Sequence, residues 1–123
     1  MSTYKVLIAE DNRLVAAVIA KILSDLNIEN TTVYSGDDVL MAYNNNYYDM
    51  VLLDIMMPIF SGLQVSKQIR KTNSHIPIVA LTSIPFEEIE KELATSRINH
   101  YISKPAEAKE LQSVLKEYFK TTA

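Results

Sequence analysis

The sequence predicts an α/β fold in which helices cover both faces of a five-stranded parallel sheet, and three observations carry that expectation. Apolar runs alternate with helix-spaced segments along the chain, as strands and helices do in such folds. Three of those runs, at 6–9, 50–53 and 78–81, are continuous rather than alternating, which suits strands covered on both sides. With 123 residues and no repeat, linker or low-complexity segment, the chain reads as one domain over residues 1–123.

The first strand is expected at 6–9. The helix after it begins near Arg13, with Leu14, Val18, Ile22 and Leu26 recurring every four residues. A second strand at 31–34 leads through Ser35-Gly36 into a shorter helix marked by Val39, Leu40 and Tyr43. The third run, 50–53, stops at Asp54. Leu63, Val65 and Ile69 mark the next helix, which ends before Thr72-Asn73-Ser74. After the fourth run, Ile89 and Leu93 give an apolar stripe to the charged segment 86–97. The fifth strand is the pair Tyr101-Ile102. Leu111, Val114, Leu115, Tyr118 and Phe119 then form a closing amphipathic helix. Five strands suit the doubly wound, flavodoxin-like order 2-1-3-4-5 with right-handed crossovers.

Composition narrows the function. A net charge of −3 makes no electrostatic case for nucleic acid or an anionic membrane surface. The absence of cysteine excludes disulfides, thiolate metal sites and thiol nucleophiles, and fits a reducing compartment. The apolar runs are too short to span a bilayer and no signal peptide opens the chain, so a cytoplasmic location is expected.

In the order 2-1-3-4-5 the carboxyl ends of strands 1 and 3 flank a crevice, with strands 4 and 5 beside it. The residues just past each run are therefore the ones to weigh: Glu10-Asp11, Asp54, Thr82-Ser83 and Ser103-Lys104. Asp11 or Asn12 could cap the helix starting near Arg13. Yet three carboxylates converging on one crevice repel one another unless a cation joins them. With oxygen ligands alone, that cation is a hard ion such as magnesium, and Asn12 is then free to take the cap. Lys104 can reach from strand 5 towards Asp54, or towards a phosphoryl oxygen carried on it. Thr82 is either a plain strand residue or a hydroxyl facing the same group. A carboxylate nucleophile, a magnesium ion, a hydroxyl and an ammonium are the parts that phosphoryl transfer needs.

The motifs "AEDN" at the first strand end, "LLDIMMPIFSG" at the third, "LTS" at the fourth and "SKP" at the fifth resemble a receiver domain of two-component signalling. The resemblance covers essentially the whole chain and implies a CheY-like fold. It implies that Asp54 accepts a phosphoryl group from a histidine kinase or histidine phosphotransfer domain. Glu10, Asp11, Asp54 and the backbone carbonyl of Met56 would hold Mg2+, while Thr82 and Lys104 would hold the phosphoryl oxygens. Tyr101 matches the family's aromatic switch, against the plainer reading of a half-buried strand aromatic. The surface of helix 4, strand 5 and helix 5 would signal or dimerise, and helix 1, with Arg13, would dock the phosphodonor. The Lys104-Pro105 bond would be cis.

Two departures stand out. A glycine common before strand 5 is replaced by Arg97 or Ile98, which leaves that loop open. Met56 and Ile84 occupy positions that flank the path of the hydrolytic water in the family and are frequently polar there. Slow loss of the phosphoryl group is one reading of them, and simple packing beside the helices is the other. His75 and His100 lie away from the acidic residues in this topology. Asn12 and "VLLDIMMP" look closest to receivers of hybrid kinases and phosphorelays, and the chain is either a stand-alone receiver or a piece of a larger regulator. The rival reading is a protein-interaction module of the same fold that no longer takes a phosphoryl group. A phosphatase would want an aspartate where Met56 stands, and a flavin carrier would want a phosphate cradle where Glu10-Asp11 stand.

Overall fold

Strand and helix alternate five times: β1(Lys5–Ala9), α1(Arg13–Asp25), β2(Glu29–Val33), α2(Gly36–Asn45), β3(Met50–Asp54), α3(Gly62–Arg70), β4(Ile78–Thr82), α4(Phe86–Thr95), β5(His100–Ser103) and α5(Ala108–Tyr118). This is a computed structural model, and it describes residues 3–119. All pairings are parallel and the sheet order is β2-β1-β3-β4-β5, as the sequence led one to expect. Among the described residues, no helix is long and apolar enough to cross a membrane.

Successive side chains of a strand point to opposite faces, and the core divides accordingly. Val6, Ile8, Leu52, Val79, Leu81 and Ile102 meet Ile19 and Leu23 of α1 and Leu111, Val114 and Leu115 of α5 on one face. Leu7, Ala9, Val51, Leu53 and Ile78 meet Val39, Val65 and Ile69 of α2 and α3 on the other. A smaller cluster on Ala80 and Ile55 receives Ile89 and Leu93 of α4. Both faces being covered is why β3 and β4 carry unbroken apolar runs.

Three local expectations change. The apolar spacing of Leu14, Val18, Ile22 and Leu26 located α1 correctly but not its buried face. Ala16, Ile19 and Leu23 are buried, whereas Leu14 is 76% and Val18 51% exposed. Strand β2 starts two residues earlier than its apolar end indicates. Its register is set by pairing with β1 (Lys5 opposite Glu29), not by its own polar sequence ENTTV. In the α4–β5 loop it is Arg97, with φ 59°, that takes the left-handed position for which glycine is best suited. A side chain there costs about 1–2 kcal/mol. The Lys104-Pro105 bond is cis, as the resemblance implied.

Candidate functional site

The register brings the four strand ends level. Ala9 lies opposite Leu53, Asp54 opposite Leu81, and Thr82 opposite Ser103, so Glu10, Asp54, Thr82 and Lys104 stand along one edge of the sheet. Asn12 caps α1, its Oδ1 accepting from the N–H groups of Leu14 and Val15. Asp11 is thereby left exposed and without a capping role. Gly62 opens α3 so close to the backbone of Asp54 and Ile55 that a Cβ there would collide with the Asp54 carbonyl. Ser61 and Gln64 form a capping box that holds this turn.

Glu10 and Asp54 are almost completely buried. One oxygen of each is engaged by backbone: Asn12 N–H donates to Glu10 Oε2 at 3.1 Å, and Met56 N–H donates to Asp54 Oδ1 at 3.0 Å. The other two oxygens face Lys104, whose Nζ lies 2.7 Å from Glu10 Oε1 and 3.2 Å from Asp54 Oδ2. Lys104 was expected to pair with Asp54; it lies closer to Glu10. These two carboxylate oxygens face the ammonium as ion pairs but receive no directed hydrogen bond.

The electrostatics follow from this crowding. Burial, then the Glu10 charge and then the adjoining Asp11 carboxyl push the Asp54 carboxyl up to about 7, against the Met56 N–H and Lys104. For Lys104, burial opposes the charge, but Glu10 and Asp54 outweigh it and the pKa is raised.

Ligand atoms of Glu10, Asp11 and Asp54 all lie within 4.8 Å of one another. Two buried carboxylate oxygens without a hydrogen bond, an exposed third carboxylate and no nitrogen or sulfur donor fit a hard, oxygen-seeking divalent ion. The side chain of Met56 is 61% exposed.

Thr82 is buried at the end of β4, and its Oγ1 accepts from Ile84 N–H at 3.2 Å. The carbonyl of the same Ile84 accepts from the Tyr101 hydroxyl at 2.6 Å. Tyr101 is half-buried and meets Phe86 edge-on at 5.3 Å. A hydrogen-bonded path therefore runs from Thr82 through the backbone N–H and carbonyl of one residue, Ile84, to Tyr101 on β5. Nothing in the sequence signals this link, because its middle member is backbone. Ile84 packs against the α4 cluster, so the packing reading holds for Ile84 and fails for the exposed Met56. His100 faces Glu117 and Tyr118, and His75 is exposed beyond α3; neither belongs to the site.

An open parallel sheet with this acidic and lysine-bearing edge has the parts that phosphoryl transfer needs, and comparison with known proteins gives the class. The chain belongs to the response regulator receiver domain family, whose model matches residues 6–116. It is therefore a signalling domain of two-component systems. It is 32% identical over 124 residues to hybrid signal transduction histidine kinase L of Dictyostelium discoideum, covering 94% of this chain and 7% of that protein. It is 35% identical over 114 residues to the transcriptional regulatory protein DltR of Streptococcus agalactiae, covering 87% of this chain and 48% of that protein. The chain thus spans half or less of these relatives. In fold it matches the chemotaxis protein CheY4 of Vibrio cholerae at a TM-score of 0.91 and 22% identity, over 96% of this chain and all (100%) of that one. The receiver domain of sensor histidine kinase PA1611 from Pseudomonas aeruginosa PAO1 matches at 0.87 and 27% identity, over 95% and 98% of the two chains. That domain was solved with magnesium coordinated in its active-site cleft.

Proposed function

We propose that Asp54 is the phosphoacceptor, taking its phosphoryl group from the phosphohistidine of a histidine kinase or histidine phosphotransfer domain. The observation that carries this is the placement of Asp54: a buried carboxylate between Glu10, Asp11 and the Lys104 ammonium. An Asp54 oxygen attacks phosphorus, the P–N bond to the donor imidazole breaks, and the imidazole leaves with the electron pair and regains a proton. Asp54 needs no general base once ionised. Glu10, Asp11, Asp54 and the Met56 carbonyl would hold Mg2+, which when bound supplies charge neutralisation on the phosphoryl oxygens. Lys104 turns from the carboxylates to a phosphoryl oxygen, and the Thr82 hydroxyl donates to another.

As Thr82 turns towards that group its contact with the Ile84 N–H shifts, and the Ile84 backbone and Tyr101 respond with it. Tyr101 then acts as the switch, and the surface of α4, β5 and α5 carries the signal to an output partner or a second copy. The exposed Leu14 and Val18, beside Pro105 and Ala106 in a groove of about 450 Å³, suit docking of the phosphodonor. The whole chain, 1–123, acts as one cytoplasmic receiver. It promotes transfer onto its own Asp54 and only slow hydrolysis, because Met56 leaves the approach to Asp54 without a polar side chain to orient water.

The test is intact mass after incubation with magnesium and acetyl phosphate. A stable gain of one phosphoryl group in the parent, absent in Asp54→Ala, is expected. No gain in the parent, with no beryllofluoride binding either, would instead identify a phosphorylation-independent interaction module.

A further inference from the structure

At the opposite edge of the sheet from Asp54, the C-terminal ends of α3 and α4 enclose a groove of about 340 Å³. It is lined by Lys67, Arg70, Lys71, Thr95, Ser96 and Arg97. Four of the chain's 12 basic residues therefore meet in one place on a protein whose net charge is −3, and no acidic residue lines it. None of the four makes an ion pair among the described residues.

Arg70 is more than nine-tenths buried. Its guanidinium donates to the carbonyls of Arg97 (2.9 Å), Asn73 (3.2 Å) and Ile76 (2.8 Å) and to Asn99 Oδ1 (2.8 Å), all uncharged acceptors. A buried cation without a carboxylate is uncommon. Burial and the Arg97 charge both press against its ionised form. Beside it, Ser96 is buried and its Oγ has no hydrogen-bond partner. Arg97 holds its side chain at the groove despite a left-handed backbone that glycine would adopt without strain.

Helix C-termini attract cations, which is the plain explanation for basic residues here. Arg70 spends its donors on acceptors inside the fold, and Lys67, Lys71 and Arg97 remain as three exposed cations with no carboxylate lining the groove. A small anion of about that charge balances them. We propose that this groove binds a diphosphate-bearing small molecule, with Lys67, Lys71 and Arg97 contacting the phosphate oxygens and Arg70 holding the groove's shape and charge. The site is separate from the phosphoacceptor edge, and binding there does not depend on Asp54.

The test is two-dimensional amide NMR of the full chain in magnesium-free buffer, titrated separately with sodium pyrophosphate, ADP, inorganic phosphate and sulfate. Saturable shifts are expected at the amides of 67–71 and 95–98 with pyrophosphate, ADP or both. Tighter binding of ADP would identify a nucleotide as the source, and equal binding the inorganic diphosphate. Arg97→Gly, which suits the backbone, and Lys71→Gln, which is exposed, should each weaken binding about tenfold with the fold unchanged. Three results would overturn the proposal: no saturable shift by about 10 mM, too weak for a built site; sulfate matching pyrophosphate, the mark of an adventitious ion only; or shifts confined to Met56, Ile84 and Lys104.

Discussion

Asp54 is harder to ionise in the folded chain than in the unfolded one, and the sign of that difference has consequences. Its pKa rises from 3.8 to about 7, so without metal the contribution to stability is complete below about pH 4 and is lost as pH rises through about 7. In magnesium-free buffer, Asp54→Asn should therefore unfold at higher urea than the parent at pH 8, with the advantage gone near pH 4. Because an ion must displace that proton, apparent Mg2+ affinity measured by calorimetry should fall about tenfold per pH unit below pH 7 and level off above it. Next to it, Met56 is exposed, and its apolar side chain is the proposed cause of slow phosphoryl loss. Phosphate release from the phosphorylated Met56→Asn, Ile84→Glu double variant should be clearly faster than from the parent, and equal rates would count against the proposed role of Met56.

At the scale of elements, the turn from β3 into α3 holds Asp54 against Gly62. Gly62→Ala drives a Cβ into the Asp54 carbonyl, a backbone atom that cannot step aside. A loss of about 1–3 kcal/mol in urea unfolding is expected, together with slower phosphoryl uptake, because the clash displaces the proposed acceptor itself. The α4–β5 loop gives the opposite sign. Arg97→Gly relieves a left-handed arginine and should raise stability by about 1 kcal/mol. Both loops show how far element boundaries were readable. Gly62 and the Ser61 cap follow from residue type, and so does Asn12 at α1. That Arg97 and not Ile98 would take the left-handed position does not, since either could have ended the helix.

For the whole molecule, the sheet order matters more than any one element, because it gathers residues from position 10 to position 104 onto one edge. The acidic pair, Asp54, Thr82 and Lys104 were legible in the sequence since each ends an apolar run, and a polar group at such a place has a local signature. The strand alternation was legible for a related reason: burial on both faces writes itself into residue type. What only the tertiary structure decided has no local signature. Which stripe of α1 is buried depends on α5 and the sheet beneath it, and so Leu14 and Val18 remain outside. The start of β2 depends on β1, because ENTTV has too little apolar patterning to place itself. Lys104 leans on Glu10 as well as Asp54, and Thr82 reaches Tyr101 through the backbone of Ile84, because distant parts of the chain are brought within a few ångströms. The sequence by itself determined the alternation of strand and helix and which residue types stand at the strand ends; long-range packing decided faces, register and partners, which no window of neighbouring residues encodes.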